Sequence, residues 1–227
     1  MNISFKKIEF FQFELNKWGK TNIKKYPWRY VDDAYMILVS EFMLHRTQVL
    51  QVVPIYEEFI RRYPDLDAFG QTNEEDVSLL LQSLGLRWRI ERMIAALQEI
   101  KLRFGEVPQN YNDLISIPGI GPYIAGATVC FSSNQEQVLI DTNVVRVIGR
   151  IYNLSLHGEA RRRKDVFQTI ERVMDRNSPR DFYYAIIDLA HTICRPKVPN
   201  CGLCPIKELC GYAITTKPGN IQDNSGR

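Results

Sequence analysis

Apolar residues recur along most of the chain at the three- and four-residue spacing of an amphipathic α-helix. In the first such segment, 6–18, the residues Ile8, Phe11 and Leu15 share one face. The same spacing predicts helices at 34–44, 49–63, 77–84, 87–104, 112–117, 122–131, 142–153, 164–175 and 181–194. The one candidate strand, 138–140, is too short to count against this pattern. The pattern predicts an all-α fold.

Capping residues and prolines mark several helix boundaries. Asn73 stands at an N-cap, three residues before an acidic residue, and Pro122 suits the first position of a helix. Pro64 ends the helix before it, because proline cannot continue the hydrogen-bond ladder. Gly85 and Gly105 are placed to end two others.

The composition is that of an ordinary globular protein. Of 227 residues, 45% are hydrophobic and 24% are charged, which excludes a disordered or collagen-like chain. No apolar run approaches the roughly 18 residues that a membrane-spanning helix needs, and residues 1–20 do not resemble a signal peptide. The net charge of +3 permits a polyanionic partner. We expect a monomeric cytoplasmic protein, associated with the nucleoid if the source is prokaryotic, and no membrane partner.

Four of the five cysteines fall within seventeen residues, at Cys194, Cys201, Cys204 and Cys210. In an intracellular chain this clustering favours a metal over disulfides. Zinc and a [4Fe–4S] cluster both bind four cysteines, but zinc sites commonly use two tight pairs and this chain has one. The wide, proline-stiffened loop favours the bulkier cluster. Cys130, in an apolar helix, is predicted to be a core residue.

Segment 114–126 joins two predicted helices through Gly119-Ile120-Gly121. Glycine permits a positive φ and a close approach of the backbone. The N–H groups at the start of the following helix suit an anion such as a DNA phosphate. A tight turn between two core helices explains the same residues.

Asp141 follows the apolar run 138–140 and precedes a predicted helix. The position is that of an N-cap, for which aspartate is a preferred residue. An acid presented at the end of an apolar segment can also serve as a catalytic carboxylate. The two interpretations do not exclude each other.

Three motifs occur in order: Leu-x-x-Ile-Pro-Gly-Ile-Gly-x-Tyr at 114–123, Ile-Asp-Thr-Asn-Val-Val-Arg-Val at 140–147, and the four-cysteine spacing. Over about residues 5–213 the chain resembles the helix-hairpin-helix DNA glycosylases that carry an iron–sulfur cluster, the endonuclease III superfamily. The resemblance implies two helical lobes with DNA in the cleft between them and the target nucleotide flipped out. Residues 31–137 would form a six-helix barrel lobe, and residues 1–30 with 138–213 a cluster lobe, followed by a flexible tail at 214–227.

The resemblance also implies roles for individual residues. Asp141 matches the catalytic aspartate, Asn143 matches an asparagine beside it, and Glu41 aligns with a second catalytic acid. Bifunctional members carry a Schiff-base lysine where this chain has Tyr123, which implies a monofunctional enzyme. The four clustered cysteines would hold a [4Fe–4S] cluster. The residues expected near double-stranded DNA containing a mismatch are Leu44, His45, Arg46, Gln48, Leu86, Gly119, Ile120 and Gly121.

Two departures from the adenine-removing MutY branch bear on the base removed. Residues 44–47 are Leu-His-Arg-Thr, whereas the MutY branch has Leu-Gln-Gln-Thr. Residues 83–89 are Ser-Leu-Gly-Leu-Arg-Trp-Arg, whereas the MutY branch has Gly-Leu-Gly-Tyr-Tyr-x-Arg. The T·G mismatch glycosylases of archaeal type have a Leu-Arg-Arg-Thr-like segment. MutY enzymes also add a C-terminal domain that reads 8-oxoguanine, and few residues follow Cys210 here. We expect removal of thymine or uracil opposite guanine. The alternatives are a MutY-like adenine glycosylase acting on A·G or A·8-oxoG, and a catalytically silent DNA-binding module.

Overall fold

The computed structural model describes residues 3–85 and 87–215, and all regular structure within them is helical. The all-α prediction is confirmed. The helices are α1 (Phe5–Asn22), α2 (Ala34–Leu44), α3 (Val49–Arg62), α4 (Leu66–Gly70), α5 (Glu74–Leu81), α6 (Arg87–Arg103), α7 (Tyr111–Ile115), α8 (Pro122–Ser133), α9 (Thr142–Tyr152), α10 (Lys164–Val173), α11 (Pro179–Thr192) and α12 (Gly211–Thr215). Short 3₁₀ turns occupy Pro27–Arg29, Gln82–Leu84, Ala160–Arg162, Cys201–Leu203 and Lys207–Leu209.

Contacts between the described residues divide the chain into two compact units, Lys25–Gln137 and Met1–Lys24 with Val138–Arg227. We expected the first boundary at residue 30, but it falls earlier, between Lys24 and Lys25. The reason is that Trp28 packs in the core of unit Lys25–Gln137. Its ring meets that of Tyr56 edge-on at 5.2 Å between centroids. The expected tail begins inside α12, and residues 216–227 lie outside the described part of the chain.

Helix α2 lies at the centre of unit Lys25–Gln137. It packs against α8, α3 and α6. Leu38 and Val39 are fully buried and Phe42 is nearly so, as expected of a helix that is apolar on every side. Cys130 of α8 is also buried, which confirms its prediction as a core residue.

In the other unit, α11 packs against both α1 and α9. The buried ring of Phe11 meets those of Tyr152 and Phe182 edge-on, with centroids 5.9 and 5.8 Å away. The N–H of Leu139 donates to the buried hydroxyl of Tyr183 at 3.0 Å. That bond anchors the non-helical segment that leads into α9, where no strand forms in the described backbone.

Most helices start close to the residue that the local sequence signals predict, whereas several helix ends differ from the prediction by a few residues. Asn73 caps α5 by accepting the Glu75 N–H at 2.9 Å, as predicted. Helix α11 begins two residues early, at Pro179, and stops at Thr192, before the first clustered cysteine. Of the described helices, none has the length and apolar character needed to cross a membrane.

Candidate active site and DNA-contact surface

Asp141 is held at the start of α9 by two donors. Its Oδ1 accepts the N–H of Val144 at 2.6 Å, so the predicted N-cap is confirmed. Its Oδ2 accepts the side-chain Nδ2 of Asn143 at 2.9 Å. The carboxylate is partly exposed, and these bonds fix its orientation while leaving it able to act on a ligand.

Asn143 is held in turn by Arg146, one helical turn further along α9. Arg146 Nη2 donates to the Asn143 Oδ1 at 3.0 Å, which determines which way the Asn143 amide points. Arg146 also donates from Nε to the Cys194 carbonyl oxygen at 2.9 Å and from Nη2 to that of Ala190 at 3.1 Å. We call Asp141, Asn143 and Arg146 the α9 array. It runs from the carboxylate to the segment where the cysteines begin.

Burial dominates the electrostatics of Arg146. It lowers the pKa of the guanidinium, and the neighbouring Arg150 acts in the same direction. The negative charges of Cys194 and Asp141 raise the pKa of Arg146 and oppose that effect. An arginine keeps its proton under such conditions, so the array contains a half-buried cation that orients the Asn143 amide.

The four clustered cysteines follow α11 along one irregular segment. Arg150 binds this segment: its Nη1 donates to the Cys194 Sγ at 3.3 Å and to the Arg195 carbonyl oxygen at 2.8 Å. Its Nη2 donates to the Pro196 carbonyl oxygen at 2.6 Å, and its guanidinium lies 4.9 Å from the centre of the Tyr212 ring. One side chain of α9 therefore organises the start of the cysteine segment.

The thiols lie close enough to influence one another's ionisation. Burial raises the pKa of Cys201, Cys204 and Cys210, that of Cys204 to about 11, and negative charge on a neighbouring cysteine raises each further. In the described residues no three Cys, His, Asp or Glu side chains are positioned to hold a single metal ion. An iron–sulfur cube binds each cysteine at a separate iron, so its ligands stand further apart than those of one ion. The all-cysteine donor set fits such a cluster chemically.

The structure places Glu41 and Tyr123 on two packed helices of unit Lys25–Gln137. Glu41 lies in the middle of α2 and is 6% exposed, which excludes a solvated surface acid. Tyr123 is part-buried in the first turn of α8. A buried carboxyl group on a core helix needs polar partners, and the role of Glu41 as a second catalytic acid stays a prediction.

The predicted DNA-contact residues of segment 44–48 lie at the C-terminal end of α2 and just after it. His45, Arg46 and Gln48 are exposed, whereas Leu44 is part-buried against the core. Arg46 has φ 62°, a left-handed conformation that is uncommon for a residue with a side chain. Leu86, predicted to contact DNA, lies outside the described residues.

The hairpin backbone has the conformation that its two glycines predict, and the side chain of Ile120 between them is buried. Gly119 has φ 93°, a conformation that residues with a side chain rarely adopt, and a Cβ there would touch the Arg92 carbonyl oxygen at 3.4 Å, so the backbone conformation favours glycine. Gly121 forms the N-cap of α8. Ile120, however, is 5% exposed, and its N–H donates to the Ile117 carbonyl oxygen at 3.1 Å. Its side chain packs in the core, and the DNA contacts predicted for Gly119, Ile120 and Gly121 stay predictions.

The sequence motifs assign no role to four residues of these sites, Arg146, Arg150, Arg89 and Trp88. Arg146 and Arg89 both stand inside quoted motifs, as the arginine of 140–147 and the last residue of 83–89. The signal that could have singled them out is a charged residue among the apolar positions of a helix. Their partners are mostly backbone carbonyl oxygens, which no sequence pattern reveals.

Comparison with known proteins agrees with this arrangement. Residues 39–176 match the family model described as HhH-GPD superfamily base excision DNA repair protein. Thymine-DNA glycosylase of Aeropyrum pernix is 32% identical over 213 residues, covering 91% of this chain and 95% of that relative. Adenine DNA glycosylase of Buchnera aphidicola subsp. Baizongia pistaciae is 31% identical, covering 92% of this chain but only 60% of that relative's length.

A solved structure is similar along nearly the whole chain. The structure of a thermostable thymine-DNA glycosylase has a TM-score of 0.84 and 27% sequence identity, and the match covers 93% of this chain and 98% of that one. The family match spans more than half of the chain and includes the hairpin, Asp141 and Asn143. The chain therefore belongs to the HhH-GPD superfamily of base excision DNA repair proteins.

Proposed function

We propose that this protein is a monofunctional mismatch DNA glycosylase that removes thymine or uracil opposite guanine and leaves an abasic site. The carrying observation is the Asp141 carboxylate, oriented by Val144 and Asn143, in a chain similar to a thymine-DNA glycosylase along nearly its full length. The Leu-His-Arg-Thr segment at 44–47, which departs from the MutY pattern, supports thymine over adenine.

The proposed chemistry is hydrolysis of the bond between deoxyribose and base. As the bond breaks, its electron pair leaves with the base and positive charge develops on the sugar. Asp141 stabilises that charge, because a carboxylate already oriented in the free protein needs no reorganisation during the reaction. Water then attacks the sugar, and the proton that it loses ends on the departed base, which gives the abasic site and the neutral base. Asn143 holds the Asp141 Oδ2 in place.

Glu41 is proposed as the second acid, next to the leaving base. A thymine anion is a tolerable leaving group when its carbonyl oxygens accept hydrogen bonds, whereas adenine needs protonation at a ring nitrogen. A carboxyl group at the position of Glu41 could supply a hydrogen bond to thymine or a proton to adenine. For this reason Glu41 keeps the adenine alternative open, as does the similarity to the adenine DNA glycosylase.

Duplexes containing T·G, U·G, A·G, A·8-oxoG or an oxidised pyrimidine, each with a matched control, test the base assignment. We expect excision from T·G and U·G and none from the matched duplex. Excision from the adenine mismatches alone would establish the MutY-like alternative. Mismatch binding without any excision would establish the silent DNA-binding module.

The product should be an abasic site in an intact strand. Tyr123 has a phenol where the bifunctional enzymes have an amine, and a phenol cannot form a Schiff base with the deoxyribose. Strands should therefore stay whole on a denaturing gel until they are heated in alkali. A covalent protein–DNA adduct trapped by borohydride would contradict this, and Tyr123→Phe should produce the same intact strands as the unmodified protein.

We further propose that Cys194, Cys201, Cys204 and Cys210 hold a [4Fe–4S] cluster. The support is the all-cysteine donor set, the mutual influence of the thiols and the Arg150 contacts that order the segment. When bound, the cluster would link four points of this segment through iron–thiolate bonds. Its role would be structural, since each iron would already have a cysteine ligand.

The purified protein should contain about four irons and four sulfides per chain. Cys204→Ser should lower both, because it removes one ligand. Cys130→Ala is the matched control, since Cys130 is buried in α8 and far along the chain from the cysteine segment. One zinc per chain with no iron would show the cluster assignment to be wrong.

A further inference from the structure

Arg89 is a buried arginine in the first turn of α6, with only 3% of its surface exposed. Its guanidinium donates to five oxygen atoms. Nη1 donates to the carbonyl oxygens of Met43, at 3.1 Å, and His45, and to the Thr47 Oγ1 at 2.7 Å. Nη2 donates to the carbonyl oxygens of Leu84 and Gly85 at 3.1 and 3.4 Å. We call this guanidinium and its five acceptors the Arg89 clamp.

All five acceptors are neutral, and the position of four of them explains why a buried cation is tolerated. Met43 and His45 lie at the C-terminal end of α2, and Leu84 and Gly85 at the end of the 3₁₀ turn that follows α5. The last carbonyl groups of a helix lack intrahelical partners and carry the negative end of its dipole. Burial lowers the pKa of Arg89, but arginine remains charged at neutral pH. One cation thus caps two helix ends.

The clamp joins two segments that are separate in the sequence. On one side is 44–48, which exposes His45, Arg46 and Gln48, with Arg46 in the left-handed region. On the other is Gly85, which has φ 70°. A left-handed residue with a side chain is strained and persists where surrounding contacts hold it. The bonds to His45 and Thr47, on either side of Arg46, supply that restraint.

The neighbouring Trp88 holds the side chain of His45. The indole of Trp88 meets the His45 ring edge-on at 6.0 Å between centroids, and the Arg92 guanidinium lies 4.9 Å from the indole centre. The backbone of Arg92 in turn lies beside Gly119 of the hairpin. The first two turns of α6 therefore contact both predicted DNA-contact segments of this unit.

We propose that Arg89 is a positioning residue for DNA recognition: it holds segment 44–48 in the conformation that presents His45, Arg46 and Gln48 to a mismatched base pair. This rests on the proposed function for the identity of the DNA partner. Arg89 itself is too buried to touch DNA, so its effect is transmitted through the backbone of the segment. Its contribution should appear in discrimination between mismatched and matched duplex more than in overall phosphate-driven affinity.

The test uses the full-length protein and three variants. Arg89→Lys keeps the charge but cannot reach five acceptors at once. Thr47→Val removes one acceptor with almost no change of shape, so it tests the clamp even if the arginine variant folds poorly. Arg61→Lys is the matched control, because Arg61 also lies at a helix end of this unit but is bonded to Glu58 at the surface.

For each variant we would measure thermal unfolding, amide hydrogen exchange of 44–48 and 83–87, the affinity ratio for T·G over matched duplex, and single-turnover excision. In Arg89→Lys we expect faster exchange in both segments and about a tenfold loss of the affinity ratio, with excision falling similarly. Thr47→Val should change the same quantities less, and Arg61→Lys should change none. Native exchange, or faster exchange with an unchanged affinity ratio, in folded Arg89→Lys and Thr47→Val would overturn the proposal.

A failure of the proposed function would look different. If the unmodified protein excises no base from any duplex in the panel, the glycosylase assignment fails. The role of Arg89 is then tested by hydrogen exchange and by binding to the duplex that the protein binds most tightly. Faster exchange with unchanged binding would show that Arg89 does not position a DNA-contact segment.

Discussion

Asp141→Asn should reduce single-turnover excision by about 10²–10⁴-fold, the scale of losing a preorganised charge at a reacting centre. Asparagine caps helices as well as aspartate does, so the bond from the Val144 N–H survives. The new amide, however, places an NH₂ group against the Asn143 Nδ2, whose orientation Arg146 determines. The variant therefore loses the charge and turns one bond of the α9 array into a contact between two donors.

Two further variants separate the charge from the cap. Asp141→Ser retains a capping hydroxyl without charge, and Asp65→Asn alters another aspartate N-cap, which accepts the Ala68 N–H at 2.8 Å. We expect Asp141→Ser to be as inactive as Asp141→Asn, and Asp65→Asn to be fully active. Mismatch affinity should persist in all three, because phosphate contacts supply most of it. If Asp141→Ser excised normally, capping would be the whole role of Asp141.

Arg146→Met should have the second largest effect, lowering excision by about 10- to 100-fold. The change removes the donor to Asn143 Oδ1 and leaves the carbonyl oxygens of Ala190 and Cys194 without that partner. A hydrogen bond to a charged group contributes about 1.5–3 kcal/mol, which corresponds to roughly that range in rate if the loss falls on the transition state. Excision would be measured in single turnover, alongside thermal unfolding and iron content.

The control for Arg146 is Arg163→Met, because Arg163 is only partly buried and pairs with Asp165 at the surface of the same unit. Arg146→Lys should recover part of the activity, since an ammonium can still donate to one of the three acceptors. Excision that declines only in proportion to the folded, iron-containing fraction would show that Arg146 stabilises the unit without positioning Asn143.

Secondary structure followed closely from local signals. The α2 prediction matched to the residue, and Asn73 and Asp141 cap the helices they precede. These signals succeed because caps and apolar periodicity act over three or four residues. Ile120 shows the limit of these local signals. Its position between two glycines predicts a residue of a DNA-facing turn, yet its side chain is buried in the core. Only the packing of neighbouring helices decides which way such a residue points.

The sequence by itself determined the helical fold, the hairpin, the capped Asp141 and the clustering of the cysteines, since each depends on residues close together in the chain. The tertiary structure alone decided the partners of Arg89 and Arg146. Arg146 reaches carbonyl oxygens 44 and 48 residues away, and Arg89 reaches the end of α2 from 46 residues away. Most of their acceptors are backbone oxygens, which every residue carries, so no side-chain pattern marks them. Only folding brings them to the guanidinium, whose burial then makes their bonds necessary.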